Sequence, residues 1–202
     1  MPTFNFLHLS DLHCGVVSQA PLWPGVKHAF FHDLSNMHEK CGPIDAVLFT
    51  GDLSYAGTPE NFCQVDEILY ELWVKLHSLG SDAILLPVPG NHDLSWPDNS
   101  DPIVRNLHTW ACGGDDAIAI RDEFFQDDSS PYRKAVKDAF SGYLAWLRRQ
   151  DNKYHRLPQM TPGMLPGEFA TTLEKAGCRI GFLGVNTAFL QLWQEPVCTH
   201  SK

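Results

Sequence analysis

Three short polar clusters contain the residues of this chain whose types and spacing could do chemistry. They are Asp11-Leu12-His13, Gly51-Asp52-Leu53 and Gly90-Asn91-His92-Asp93. Carboxylate oxygen, imidazole nitrogen and amide oxygen are ligands that hard and borderline divalent metal ions accept in proteins. The residue types therefore indicate a divalent metal site, provided that the fold brings the three clusters together.

Each cluster directly follows an apolar run that is typical of a β-strand. The runs cover residues 3–9, 44–50 and 83–88. Helical patterns separate them, at 26–40 and at 61–79, and the second helix is expected to have Thr58 at its N-cap and Pro59 at its first position. Strands that alternate with helices predict an α/β layered fold with parallel strands. The carboxyl ends of such strands share one edge, where we expect the clusters to meet.

The second half of the sequence has a different pattern. Residues 94–132 are rich in Asp, Asn, Ser and Gly and contain only short helical pieces, which indicates an insertion or lid over the metal edge. Within it, Trp96, Trp110, Asp115 and Asp116 could shape a substrate pocket, although nothing in their spacing requires it. A helix is predicted over 133–149. Two strands follow at 168–174 and 179–186, joined by a hairpin turn at Lys175-Ala176-Gly177.

Composition and charge limit the class of protein. With 202 residues and 44% hydrophobic content, residues 1–202 are expected to form a single domain. The formal net charge is −9, and without clustered Lys and Arg a nucleic-acid partner is not expected. The sequence shows no secretory signal and no apolar window of about 18 residues for a membrane span. Six scattered cysteines are expected to be reduced thiols, so we expect a cytoplasmic protein without a membrane partner.

Two metal ions about 3.5–4 Å apart can hold both the attacking and the leaving oxygen of a phosphate ester. Asp52 is our candidate for the bridging ligand, because a carboxylate offers lone pairs to two cations at once. Asp11 and His13, two residues apart in an extended segment, would point to one side and reach one ion. Asn91 could give an amide oxygen to the second ion. His92 could protonate the leaving oxygen or stabilise the transition state.

Other interpretations of the same residues remain open at this point. Asp and Asn are common in caps and turns, so the clusters could be ordinary turn formers. His92 could support a metal ligand rather than act as the acid, and Asp93 could hydrogen-bond His92 and orient its ring. Cys14 adjoins a candidate ligand but is better interpreted as a small buried loop residue.

The motifs D-L-H, G-D-L and G-N-H-D, in this order and each after a strand, resemble those of the calcineurin-like metallophosphoesterase superfamily. The resemblance is close over residues 4–94 and looser to about residue 186. It implies an αββα-type sandwich of two mixed sheets flanked by helices. It also implies a centre of two divalent ions (Mn, Fe or Zn) that hydrolyses a phosphomonoester, phosphodiester or pyrophosphate bond.

The sequence departs from that family in its second half. The family adds a histidine after a further strand and then a G-H-x-H motif, and neither pattern is present. The histidines after Asn91 are His92, His108, His155 and His200. Since His200 lies in a terminal segment after a proline, it is not expected to be a ligand. We therefore expect a domain incomplete at its C-terminus, with weak binding of a second ion and reduced turnover.

Two alternative functions follow from that departure. One is a noncatalytic binding or regulatory module that keeps the same fold. The other is a nuclease, which the acidic charge disfavours. The substrate, the metal and the oligomeric state stay open.

Overall fold

A computed structural model of the chain describes residues 3–16, 22–150 and 155–193. These residues form two three-stranded sheets and six helices. In chain order the elements are β1 (Phe6–Leu9), α1 (Leu22–Cys41), β2 (Ala46–Thr50), α2 (Pro59–Ser78), β3 (Ile84–Val88), α3 (Pro102–Ala111), α4 (Ala117–Gln126), α5 (Pro131–Ala139), α6 (Ser141–Leu147), β4 (Thr161–Pro162), β5 (Phe169–Lys175) and β6 (Cys178–Gly184).

The first sheet is parallel, in the order β1-β2-β3. Phe6 lies opposite Ala46, and Ala46 lies opposite Ile84. Because side chains alternate along a strand, Val47 on one face belongs to the core against the helices, whereas Ala46 belongs to a second core on the other face. The alternation of strands and helices in the sequence therefore predicted this sheet correctly.

Helix α2 supplies much of the core on the helical side of the first sheet. Its buried residues recur every three or four positions and are Phe62, Val65, Leu69, Leu72, Trp73 and Leu76. At its start, Thr58 Oγ1 accepts a hydrogen bond from Asn61 N at 3.2 Å. Pro59 occupies the first turn, where the missing N–H needs no partner. Both features confirm the predicted start of this helix.

The second sheet is antiparallel, in the order β4-β5-β6. Ala176 and Gly177, both with positive φ, make the predicted hairpin turn between β5 and β6. Phe169 and Leu173 from β5 pack against the first sheet, so the two sheets form a sandwich with helices outside the first one. This is the predicted α/β layered class. Neither sheet is mixed within the described residues, unlike the expectation, and the short strand β4 was not predicted.

The predicted helix over 133–149 is wrong, because two helices, α5 and α6, occupy this region with a break at Phe140. A Cβ on Gly142 would lie 2.2 Å from the carbonyl oxygen of Gly57, so the start of α6 lies directly against that loop. The break lets α5 pack with α3 and α4, whereas α6 buries Tyr143 and Trp146 in the main core. Tertiary packing therefore decides the break.

The region that includes α3, α4 and α5, which we call the helical region (residues 94–140), has an apolar cluster of its own. This cluster contains residues of the three helices together with Ala188 and Leu192 from the segment after β6. Whether residues 94–132 are an insertion or a lid stays a prediction. Among the described helices there is none whose length and apolar character would allow it to cross a membrane.

Candidate metal centre

The three polar clusters lie together at the carboxyl edge of the parallel sheet, each in the loop after its strand. The first loop is joined to the second by hydrogen bonds from Asp11 N to Gly51 O, at 3.2 Å, and from His13 N to Asp52 O, at 2.9 Å. The third loop joins them because His92 N donates to Asp52 Oδ1 at 2.9 Å. We call the segments that follow β1, β2 and β3 (residues 10–16, 51–58 and 89–93) the strand-end loops.

Three side chains bring potential ligand atoms into one group. His13, Asp52 and His92 each place one such atom within 4.8 Å of the others. The rings of His13 and His92 meet edge to face with their centroids 4.7 Å apart. Asp11 lies beside this group, with Oδ1 3.6 Å from His13 Nε2. Asn91 lines a cleft together with Asp52.

The backbone of the strand-end loops is strained at three candidate ligands. Asp11, His13 and Asp52 have φ of 58°, 46° and 56°. The only other described residue with positive φ that is not glycine is Ala176, in the hairpin turn. The left-handed region costs an L-residue about 1–2 kcal/mol, and such strain concentrates at functional sites. The expectation that Asp11 and His13 lie in an extended segment is therefore wrong.

Two glycines allow the second and third loops to approach closely. A Cβ on Gly51, whose φ is +105°, would lie 2.9 Å from Gly90 Cα. A Cβ on Gly90 would lie 2.2 Å from Asp52 Oδ1. Only glycine at both positions leaves room for the backbone crossing and for the Asp52 carboxylate beside it.

Asp93 is fully buried and fastens the second loop to the third. Its Oδ1 accepts a hydrogen bond from Ser54 N at 2.7 Å, and its Oδ2 accepts bonds from Gly90 N at 2.9 Å and Leu53 N at 3.2 Å. Burial raises the pKa of Asp93 to about 6, although these N–H donors lower it. The expectation that Asp93 orients the ring of His92 is wrong, because its oxygens are occupied by main-chain donors.

The ring of His92 is instead positioned by the second loop. Its Nδ1 lies 3.0 Å from the carbonyl oxygen of Tyr55. Since a carbonyl only accepts, Nδ1 carries a proton and Nε2 is the nitrogen left for a ligand or substrate. The Tyr55 ring stacks on His92, and Trp96 meets it edge to face. No motif in the sequence pointed to Tyr55, and Trp96 was open only as a pocket residue of the predicted insertion.

The donor set fits a divalent metal ion. His13 Nδ1 is buried and has no hydrogen-bond partner among the described residues. Its other ring nitrogen, Nε2, lies 3.6 Å from Asp11 Oδ1, so this nitrogen faces the neighbouring candidate ligand. Imidazole nitrogens with carboxylate and amide oxygens suit Mn, Fe or Zn. Cys14 does not join this group, because its side chain lies in the core, where burial raises the pKa of its thiol to about 12.

The later histidines lie elsewhere in the described structure. His108 stacks on Trp193 with ring centroids 4.4 Å apart. His155 is buried against Trp73, with Nε2 2.8 Å from Gln150 Oε1. Neither belongs to the metal-binding group found among the described residues. His200 lies outside the residues that the structure describes.

A cleft of about 410 Å³ opens beside the candidate ligands, between the two sheets. Asp52 and Asn91 are among the residues that line it. Its other walls are largely apolar and include Leu48, Val88 and Phe182. The cleft gives a molecule of moderate size access to the metal edge.

Comparison with known proteins agrees with this geometry. Residues 4–180 match the family model described as calcineurin-like phosphoesterase. The matched span includes all three polar clusters and the strands that carry them. No curated protein matches the chain.

Proposed function

The chain belongs to the calcineurin-like phosphoesterase family, and from that premise we propose that it hydrolyses a phosphate ester at the strand-end loops. The observation that carries the proposal is the convergence of His13, Asp52 and His92, whose nitrogen and oxygen atoms lie within 4.8 Å of one another, where the first two could hold an ion and the third could act on the substrate. The strained backbone at Asp11, His13 and Asp52 supports it, because a turn that served only to connect elements would be free to relax.

We assign the metal ligands as follows. Asp11, His13 and Asp52 would hold one divalent ion, and Asp52 and Asn91 would share a second. Bound ions supply Lewis-acid polarisation of a phosphoryl oxygen and lower the pKa of a water. Asp52 is well placed to bridge, since only its Oδ1 is engaged by His92 N and a carboxylate has further lone pairs.

His92 would act on the leaving oxygen. The Tyr55 carbonyl holds Nδ1, so Nε2 is the atom that can exchange a proton or donate a hydrogen bond there. The ring is also held by stacking on Tyr55, at a centroid distance of 5.3 Å, and by the edge of His13. A fixed ring reduces the reorganisation needed at the moment of reaction.

Steady-state hydrolysis of p-nitrophenyl phosphate and bis-p-nitrophenyl phosphate in Mn²⁺ tests the proposal and separates monoesterase from diesterase activity. We expect turnover that EDTA abolishes and that Asp52→Asn lowers by more than about 100-fold, because even residues that only support metal ligands contribute 10- to 100-fold. The matched control is Asp127→Asn, an exposed aspartate of the helical region, which should retain activity.

Two results would contradict the proposal. Turnover that survives Asp52→Asn would place the reaction elsewhere on the molecule. Binding of Mn²⁺ without hydrolysis of either ester would favour the noncatalytic module with the same fold.

A further inference from the structure

Two aromatic side chains flank His92 from different loops. The Tyr55 ring stacks on the His92 ring at 5.3 Å and 18°, and the Trp96 ring meets it at 5.5 Å and 89°. Tyr55 follows the second polar cluster and Trp96 follows the third. Tyr55 is nevertheless 43% exposed, so part of a large apolar ring faces solvent beside the candidate acid.

Hydrogen bonds to the main chain hold the two loops that carry these rings. Tyr55 N donates to Cys14 O at 2.9 Å, and Tyr55 O accepts from His92 Nδ1 at 3.0 Å. Next to Trp96, Ser95 N donates to Ala139 O at 2.9 Å, and Trp96 itself packs on the apolar cluster of the helical region. Fixed aromatic surfaces lose little entropy when a ligand binds to them.

The position of His92 decides which part of a substrate would meet these rings. If His92 acts on the leaving oxygen, the group attached to that oxygen lies next to His92. Apart from the candidate ligand His13, the described aromatic rings that contact His92 are Tyr55 and Trp96. The cleft between the sheets opens instead beside Asp52 and Asn91, and neither aromatic residue is among its described lining residues.

Resting on the function proposed above, we propose that Tyr55 and Trp96 form a binding wall for the leaving group of the substrate, and that this group carries a planar aromatic ring. An aryl ester and a nucleotide share that chemistry. Stacking of a base on an aromatic side chain contributes enough free energy to change kcat/KM by about 5- to 100-fold.

The test compares kcat/KM for phenyl phosphate with kcat/KM for glycerol phosphate in wild type and variants. Because each ester keeps its own leaving group in every protein, the change of this ratio between proteins reports the wall and not leaving-group reactivity. We expect Tyr55→Leu and Trp96→Leu to lower the ratio by about 5- to 100-fold. Tyr55→Phe keeps the ring and should keep the ratio.

Tyr70→Leu is the matched control, because Tyr70 lies on α2 and is 46% exposed, similar to Tyr55. It should leave the ratio at the wild-type value. A third arm with adenosine 5′-monophosphate distinguishes the two sources of an aromatic ring. A response to the variants with both aromatic esters identifies a nucleotide, and a response with phenyl phosphate alone identifies an aryl ester; either result supports the wall.

An equal fall of kcat/KM for phenyl and glycerol phosphate in Tyr55→Leu would overturn the inference, because Tyr55 would then act only through His92. If no ester is hydrolysed, the proposed function fails, and binding decides the inference separately. Calorimetry in Mn²⁺ would then compare phenylphosphonate with methylphosphonate. Tighter binding of phenylphosphonate that Tyr55→Leu removes supports the wall, and equal binding of the two ligands overturns it.

Discussion

The strand-end loops and the helical region use the same polar residue types in different ways. In the helical region, Asp98 and Asp127 each accept hydrogen bonds from the serine two positions later, Ser100 and Ser129. These bonds hold the pKa of both carboxyls below the ordinary value. Asp101 caps α3, with Oδ1 2.8 Å from Ile103 N. Each of these side chains accepts its hydrogen bonds from residues of its own turn.

In the strand-end loops the partners lie far away in the sequence. Asp52 accepts from His92 N, 40 residues later, and Asp93 accepts from Leu53 N, 40 residues earlier. The backbone at Asp11 and His13 is left-handed, and His13 Nδ1 is buried without a described partner. The two regions therefore have similar residue types. The candidate site differs from the helix caps because its hydrogen bonds join residues far apart in the sequence and because its backbone is strained.

The largest expected difference between the two regions concerns histidine. His92→Asn should lower kcat for phenyl phosphate by about 10²- to 10⁴-fold, the range typical of a lost general acid, because phenolate is a poor leaving group until its oxygen is protonated. His108→Asn removes a partly buried ring that stacks on Trp193 and should leave kcat within about twofold, as expected for a residue away from the reacting atoms. Steady-state kinetics of both variants measure this, and an equal loss in His108→Asn would erase the contrast.

The second comparison is between the buried Asp93 and the helix-capping Asp101, whose substitution should affect the stability of the protein to different extents. Asp93→Ala leaves the N–H groups of Leu53, Ser54 and Gly90 without their acceptor, which we expect to lower the free energy of unfolding by about 3 kcal/mol or more. Asp101→Ala removes one helix cap and should cost about 1 kcal/mol. Urea unfolding compares the two, and a smaller loss for Asp93→Ala than for Asp101→Ala would refute the account of Asp93.

Glycine substitutions give a smaller effect of the same kind. Gly90→Ala places a methyl group where Asp52 Oδ1 now lies and should destabilise the protein by about 1–3 kcal/mol. Gly181→Ala, in β6, meets nothing within 4 Å and should change stability by no more than about 0.5 kcal/mol. Thermal unfolding of both variants sharpens the comparison. Equal melting temperatures of the two variants would show that the strand-end loops accommodate the added methyl group, and would contradict the close packing described for Gly90.

The fold could be predicted from the sequence to the extent that local patterns determine it. The apolar runs before the clusters became β1, β2 and β3, and Thr58 with Pro59 marked the start of α2. The break at Phe140 was not predicted, and in the folded chain Gly142, just after it, lies directly against the carbonyl of Gly57. The helical pattern of residues 133–149 does not indicate contacts that form only in the folded chain.

The sequence predicted that the three clusters meet at one edge of the sheet, but it did not predict the geometry of their loops. Residue types placed Asp11, His13 and Asp52 at one edge, because parallel strands end together. Their positive φ and the main-chain partners of Asp93 follow from the packing of three loops, which no single motif specifies. Tyr55 was missed for the same reason. It contacts His92 through its main-chain carbonyl, which every residue has, so its residue type did not indicate the contact.

The most direct test of the metal centre is a calorimetric Mn²⁺ titration of wild type, Asp52→Asn and Asp127→Asn after removal of bound metal by EDTA. The account predicts saturable Mn²⁺ binding in wild type and in Asp127→Asn, and a loss of affinity of more than about 100-fold in Asp52→Asn. Equal binding by all three proteins, or no saturable binding by wild type, would contradict the assignment of the strand-end loops as a metal site.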